Sequence, residues 1–224
     1  MRIELTQAFR DAYPGGIFGA LVARGCPNRP RAAAIGSDQR IVETRLRERF
    51  PGSTIDVDPT AIAYASHFRR FGVRYPVVHQ AKTIIAGRPI QSTSALAEVM
   101  FTAELDSLVL TSGHDLLALR DSLVVDVAAA NDTYTRISGK EQVPRLGDMV
   151  VRDTEGIIAS VVYGPDFRTR LREDSGAALF GAWCPNKIPA DGIEAHLARV
   201  AGLLRREWPG ATVEDPHILR AGGA

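Results

Sequence analysis

Apolar stretches alternate along the chain with short breaks rich in glycine and proline. Residues 2–9 and 16–24 read as strands on either side of Tyr13-Pro14-Gly15-Gly16. Ile17-Phe18-Gly19-Ala20-Leu21-Val22 has the unbroken apolar character of a buried strand. Cys26-Pro27-Asn28-Arg29-Pro30 reads as a loop. The spacing of Ile41, Val42, Leu46 and Phe50 predicts a helix over 38–50, stopped by Pro51-Gly52. Asp58-Pro59 places an N-cap before a first-turn proline. The helix it opens carries Ile62, Phe68 and Phe71 inward and stops at Gly72. A third helix runs from Pro76 to Ala86, with Val77, Val78, Ala81, Ile84 and Ile85 inward.

The middle of the chain is richer in strands. Ser92-Thr93-Ser94 offers N-caps for a helix bearing Leu96, Val99, Met100 and Ala103. Leu108-Val109-Leu110 predicts a strand ending in the polar run Thr111-Ser112-Gly113-His114-Asp115, with Asp115 capping a short turn, Leu116 to Leu119. Strands follow at 122–128 and 133–137, joined around Asn131-Asp132. Residues 149–152 and 157–163 form a hairpin through Asp153-Thr154-Glu155-Gly156, and Gly164-Pro165-Asp166 ends it. Ala177 to Trp183 is another strand. The last helix shows one face in Ile193, Leu197, Val200, Leu204 and Trp208, with Asp191 and Glu194 spaced as a capping box. The tail Ala221-Gly222-Gly223-Ala224 is expected to be loose.

Composition narrows the picture. In 224 residues, 45% are hydrophobic and 24% charged, which is ordinary for a globular protein and excludes wholesale disorder, collagen and coiled coil. Lysine and arginine total 27 against 26 acids, so the net charge is +1. Bulk charge therefore does not hold this chain to nucleic acid, although a local basic patch is compatible with the count. No apolar run approaches a membrane span, and the N-terminus lacks the apolar core of a signal peptide. Cys26 and Cys184 belong to no C-x-x-C pair, and with five scattered histidines they define no zinc site. The expectations are a reduced cytoplasmic setting, no membrane and no metal or other cofactor.

Generic catalytic signatures are absent, and four local constellations carry what chemistry there is. Gln91 with Ser92, Thr93 and Ser94 either caps a helix or binds an anion or amino-acid group there. Thr111 to Asp115 is either a capped turn with a solvated histidine or a site in which His114 acts as base and Gly113 admits a ligand to the backbone. Tyr163-Gly164-Pro165-Asp166, followed by Arg168, Arg170 and Arg172, is either a solvated charged turn or a phosphate-binding segment. Were that segment helical, Arg172 could pair with Glu173 or Asp174. Trp183-Cys184-Pro185-Asn186-Lys187 contains a thiol with no histidine partner in prospect, which reads as a buried inert cysteine.

The order and spacing of these motifs resemble the stand-alone B3/4-type domain family, relatives of the tRNA-editing domain of the phenylalanyl-tRNA synthetase beta subunit. The resemblance is carried by Gln91-Ser92-Thr93-Ser94-Ala95-Leu96, by Leu110-Thr111-Ser112-Gly113-His114-Asp115-Leu116, by 147–158 (Gly147-Asp148-Met149-Val150-Val151-Arg152-Asp153-Thr154-Glu155-Gly156-Ile157-Ile158), and by Tyr163-Gly164-Pro165-Asp166 with Arg168-Thr169. It covers most of residues 10–205. It implies an α/β (α+β) domain, with a central mixed or antiparallel sheet and flanking helices, over residues 1–224. It also implies tRNA or aminoacyl-tRNA as partner, and hydrolysis in trans of the ester of a mischarged aminoacyl-tRNA. At this length, without synthetase motifs, a complete ligase is not expected. On this reading Ser112, His114 and Asp115 are the catalytic candidates. Ser92, Thr93, Ser94, Gly113, Tyr163 and Asp166 bind substrate, and Arg168, Arg170 and Arg172 meet RNA phosphates. The register places Ser112 where the synthetase domain has a histidine, and Gly181 near its tyrosine-reading glutamate. Two alternatives therefore stand beside hydrolysis: a non-catalytic RNA-binding relative, and a pocket retuned to a small amino-acid-like metabolite.

Overall fold

A computed structural model describes residues 1–92, 94–185, 188 and 190–222. The chain begins with β1 (Ile3–Leu5), α1 (Gln7–Ala12) and β2 (Ile17–Arg24). Four helices follow: α2 (Gly36–Arg49), α3 (Pro59–Arg69), α4 (Pro76–Ile85) and α5 (Ala95–Ser107). The strand-rich middle holds β3 (Thr111–Asp115), β4 (Leu123–Val127), β5 (Tyr134–Thr135), β6 (Glu141–Gln142), β7 (Met149–Asp153), β8 (Gly156–Ser160), β9 (Gly164–Pro165) and β10 (Ala177–Cys184). The end is α6 (Ala190–Glu207), β11 (Thr212–Val213) and β12 (His217–Arg220).

The class is α+β, and the larger strands divide between two sheets. One has the order β1-β4-β7-β8-β9, with β1 parallel to β4 and the rest antiparallel. The other is antiparallel in the order β11-β2-β10-β3, with β12 also on β2. Its central pair, β2 and β10, is buried along nearly its whole length, as an unbroken apolar run predicts. The α6 face formed by Ile193, Leu197, Val200 and Leu204 is fully buried. Each such side chain contributes roughly 1.5–3 kcal/mol. One cluster of buried residues runs from Ile3 to Ala221.

Several expected elements change character. Residues 2–9 divide into β1 and α1 because Thr6 caps the helix, its hydroxyl accepting from the Phe9 amide at 3.0 Å. Leu108 adopts a left-handed conformation (φ 61°) that closes α5, so Leu108-Val109-Leu110 is a connector and the polar run Thr111–Asp115 is the strand. Residues 133–137 do not pair with 122–128: β4 pairs with β1 and β7, while β5 pairs with β6. Ile41 and Ile62, expected inside, are half exposed. Asp191 lies within the first turn of α6 and Glu194 bonds Arg220, so this pair does not close a capping box. Ala221 is buried and its amide donates to Gly16 O at 2.9 Å, so the tail is held at least that far. Gly223 and Ala224 lie outside the described residues.

Candidate functional site

A cleft of about 550 Å³ opens between α4, α5, the start of β3 and the segment from Ser160 to Pro165. Its walls include Ser92 and Ser94 ahead of α5, Ser112 and Gly113 on β3, and Tyr163 and Gly164 before β9. These polar segments are distant in sequence and meet in one cavity.

Ser112 is the focus of a buried hydrogen-bonded series. Its Oγ lies 3.1 Å from His114 Nε2 and accepts from the Trp183 indole N–H at 3.3 Å. His114 Nδ1 lies 2.8 Å from Thr169 Oγ1, and that hydroxyl donates to Asp166. Asp166 Oδ1 also accepts from the Thr169 amide at 2.9 Å. The bonding order selects a tautomer. Thr169 has given its proton to Asp166, so it accepts from His114 Nδ1–H; Nε2 is then bare and accepts from the Ser112 hydroxyl. His114 is fully buried, and desolvation aided by Arg168 holds its pKa down at about 4. It is therefore neutral at neutral pH. Burial raises the Asp166 carboxyl above its ordinary range.

Backbone alternation adds one more group. Leu110 O accepts from Trp183 N on β10, so Thr111, Gly113 and Asp115 turn their amides to the opposite edge. There the Thr111 amide donates to Glu104 at 2.9 Å and the Asp115 amide to Thr169 O at 2.7 Å. The Gly113 N–H lies between them on that edge, beside Ser112. A side chain at Gly113 would place its Cβ 2.9 Å from Leu171 Cδ1 and 3.3 Å from Met100 Sδ, narrowing the cleft.

Glu104, which sequence reasoning passed over, also lines the cavity. Desolvation raises its carboxyl to about 8, and it forms no ion pair among the described residues. At Gly181, where the resemblance places a substrate-reading acid, any side chain would require Phe18 and Ser112 to give by a few tenths of an ångström. Its Cβ would come within 3.1 Å of both Phe18 and Ser112 Oγ.

The remaining candidates take other positions. Asp115 does not join Ser112 and His114. It is buried on the far edge, accepting from Leu117 N at 3.0 Å, Ser175 Oγ at 2.8 Å and Arg172 at 3.1 Å. Arg168 forks onto Asp153 at 2.8 Å and also meets Glu155 and Asp166. Arg172 pairs with Asp115 and Asp174, and the Arg170 guanidinium stacks 3.6 Å over the Phe167 ring. The amides opening α5 are also occupied: Ala95 donates to Arg29 O, Leu96 to Asn28 Oδ1 and Ala97 to Ser94 Oγ. Ser94 is thus a helix cap, and Asn28 a second one. Thr93 lies outside the described residues, as do Asn186 and Lys187. Cys184 is buried, and burial pushes its thiol up to about 11, so it is inert. Thr169, which orients His114, sits in the Arg168-Thr169 pair that carries part of the resemblance. Its four-residue offset from Tyr-Gly-Pro was the available signal.

No family model matches the chain, and no curated protein matches it. Among solved structures it is similar to an N-terminal fragment of the phenylalanyl-tRNA synthetase beta subunit from Pyrococcus horikoshii, with a TM-score of 0.49 and 10% identity. That superposition covers 95% of this chain and 50% of the fragment, so the chain spans about half the fragment's length. Among the described residues, no helix is long and apolar enough to cross a membrane.

Proposed function

We propose that residues 1–224 form one B3/4-type domain whose cleft binds the acylated end of an aminoacyl-tRNA and hydrolyses its ester. The observation that carries this reading is the Ser112 hydroxyl on the cleft wall, bonded to a neutral His114 whose other nitrogen is fixed through Thr169 to Asp166. The motif resemblance points the same way.

The chemistry follows from those bonds. The Trp183 N–H occupies one lone pair of Ser112 Oγ and leaves its proton directed at His114 Nε2. Oγ attacks the ester carbonyl carbon as its proton passes to Nε2. The Gly113 N–H faces the developing oxyanion. Collapse breaks the bond to the ribose oxygen, which leaves with the proton from Nε2. Water then cleaves the acyl-serine by the same transfers, and Ser112 regains its proton. Thr169 and Asp166 position the ring and stabilise the imidazolium. An ester is activated enough for such a modest apparatus.

The engaged state of Arg168, Arg170 and Arg172 favours a second reading, in which the cleft takes a small amino-acid-like molecule and no RNA. Deacylation of a panel of charged tRNAs, at low and moderate salt, separates the two. Selective release of one amino acid, lost in Ser112→Ala, is the expected result. A flat panel, or full activity in Ser112→Ala, overturns hydrolysis by this series. A melting shift with free amino acids and none with tRNA would establish the second reading.

A further inference from the structure

The geometry points to Arg136 as the anion-binding residue of the cleft, taking a phosphate or carboxylate group of the ligand. This rests on the reading of the cleft as the ligand site, and not on any hydrolysis there. Arg136 lines the cavity beside Tyr163, Gly164 and Pro165. Its Nε is buried and has no hydrogen-bond partner among the described residues. No carboxylate comes within ion-pairing distance of it there.

That state is costly. A guanidinium cannot shed its proton, and a partly desolvated cation with an unpaired N–H gains a great deal from an oxyanion. The neighbouring arginines do not line the cleft and are otherwise engaged. Arg168 and Arg172 are neutralised by acids, Arg170 lies on Phe167, and the α5 amides are capped. The planar fork of Arg136 suits two oxygens of one anion.

The backbone holds Arg136 in place. Its amide donates to Lys140 O at 2.8 Å and its carbonyl accepts from Gly139 N at 2.7 Å. Ile137 N donates to Pro165 O at 3.1 Å, and Arg136 bridges to Asp166. The arginine is thus anchored to the segment that carries Asp166, the acid behind His114. An anion on Arg136 and a group at Ser112 would then share one cleft.

The test is equilibrium binding to wild type, Arg136→Gln and Arg136→Lys, at two salt concentrations, with three probes. A trinucleotide RNA without an amino acid offers phosphates. Free L-amino acids offer carboxylates. Methyl esters of the same amino acids offer neither anion. The expected result is that wild type binds an anionic probe in a salt-sensitive way and that Arg136→Gln weakens it about tenfold to a hundredfold. Arg136→Lys recovers part of that, while methyl-ester binding is unchanged. Weakening confined to the RNA assigns a phosphate, and weakening confined to amino acids assigns a carboxylate. Equal binding of both anions by wild type and Arg136→Gln overturns the proposal, as does failure of wild type to bind either. Melting temperatures of the variants matching wild type exclude misfolding. Deacylation of the charged-tRNA panel is scored with the same protein samples. Its absence alongside an Arg136 effect removes the hydrolytic reading and leaves the anion site standing.

Discussion

Two buried histidines, His67 on α3 and His114 on β3, are both held at a pKa of about 4, chiefly by desolvation. Each is also pushed down by a nearby arginine, Arg70 beside His67 and Arg168 beside His114, but their bonding differs. His67 sits among the rings of Tyr13, Phe68 and Phe71, and among the described residues neither of its nitrogens has a hydrogen-bond partner. His114 is bonded at both nitrogens, and one of those bonds ends on a hydroxyl in the cleft wall. A lowered pKa therefore identifies burial alone. His196, also held at about 4, likewise bonds two hydroxyls, Ser107 at 2.8 Å and Thr111 of the cleft wall at 2.7 Å, so what sets His114 apart is the acid behind it, Asp166 through Thr169.

The sharpest way to break that comparison is to remove each ring in turn. His114→Gln is expected to cut ester hydrolysis by about 10²–10⁴-fold, the usual contribution of a general base. His67→Leu is expected to leave the rate alone and to keep or raise the melting temperature, because two unpaired buried nitrogens disappear. A large rate loss in His67→Leu, or none in His114→Gln, would dissolve the distinction.

The arginines beside His114 provide a second contrast. Arg168 compensates Asp153, whose carboxylate is fully enclosed, whereas Arg170 rests on an aromatic face. Arg168→Ala is expected to cost about 3 kcal/mol in denaturant unfolding, since it leaves a buried charge unpaired. Arg170→Ala is expected to cost under about 1 kcal/mol. Equal costs would mean that Arg168 is free for another task. Loss of RNA binding in Arg168→Ala would accordingly need a stability control before it spoke for phosphate contacts.

A third contrast lies in the dependence of stability on pH. His67, His114 and His196 all have folded pKa values lowered to about 4. As pH falls from their unfolded value near ~6.5, the unfolded chain takes up protons that the fold refuses, and stability declines. Glu104, raised from 4.5 to about 8, and Asp148, raised from 3.8 to about 7, act oppositely. The fold retains their protons after the unfolded chain has lost them, so stability declines as pH rises toward those folded values. The melting temperature should therefore peak at about pH 6.5. His67→Leu should flatten the acid limb by one proton, and Glu104→Gln the alkaline limb. A peak at pH 9 would contradict the burial of these acids.

Much of the architecture was legible from local pattern. The apolar runs of β2 and β10, the hairpin of β7 and β8, the proline-led starts of α3 and α4 and the stripe of α6 all arise from side-chain periodicity and capping within a few residues. The site was legible only as scattered fragments. Ser112 and His114 drew attention because they stand together beside an apolar run, and Tyr163 and Asp166 because they break a hairpin. Arg136 and Glu104 gave no signal, since a lone arginine in a hairpin and an acid in a helix look like solvated surface.

What the sequence determined by itself was the α+β class, most of the helices and the longest strands, because periodicity and caps are short-range. What only the tertiary structure decided was that Thr111–Asp115 is a strand, that Asp166 rather than Asp115 stands behind His114, and that the Arg168–Arg172 stretch is engaged within the fold. Those outcomes depend on partners far away in the chain. Burial makes each group's bonding a matter of what the fold places beside it.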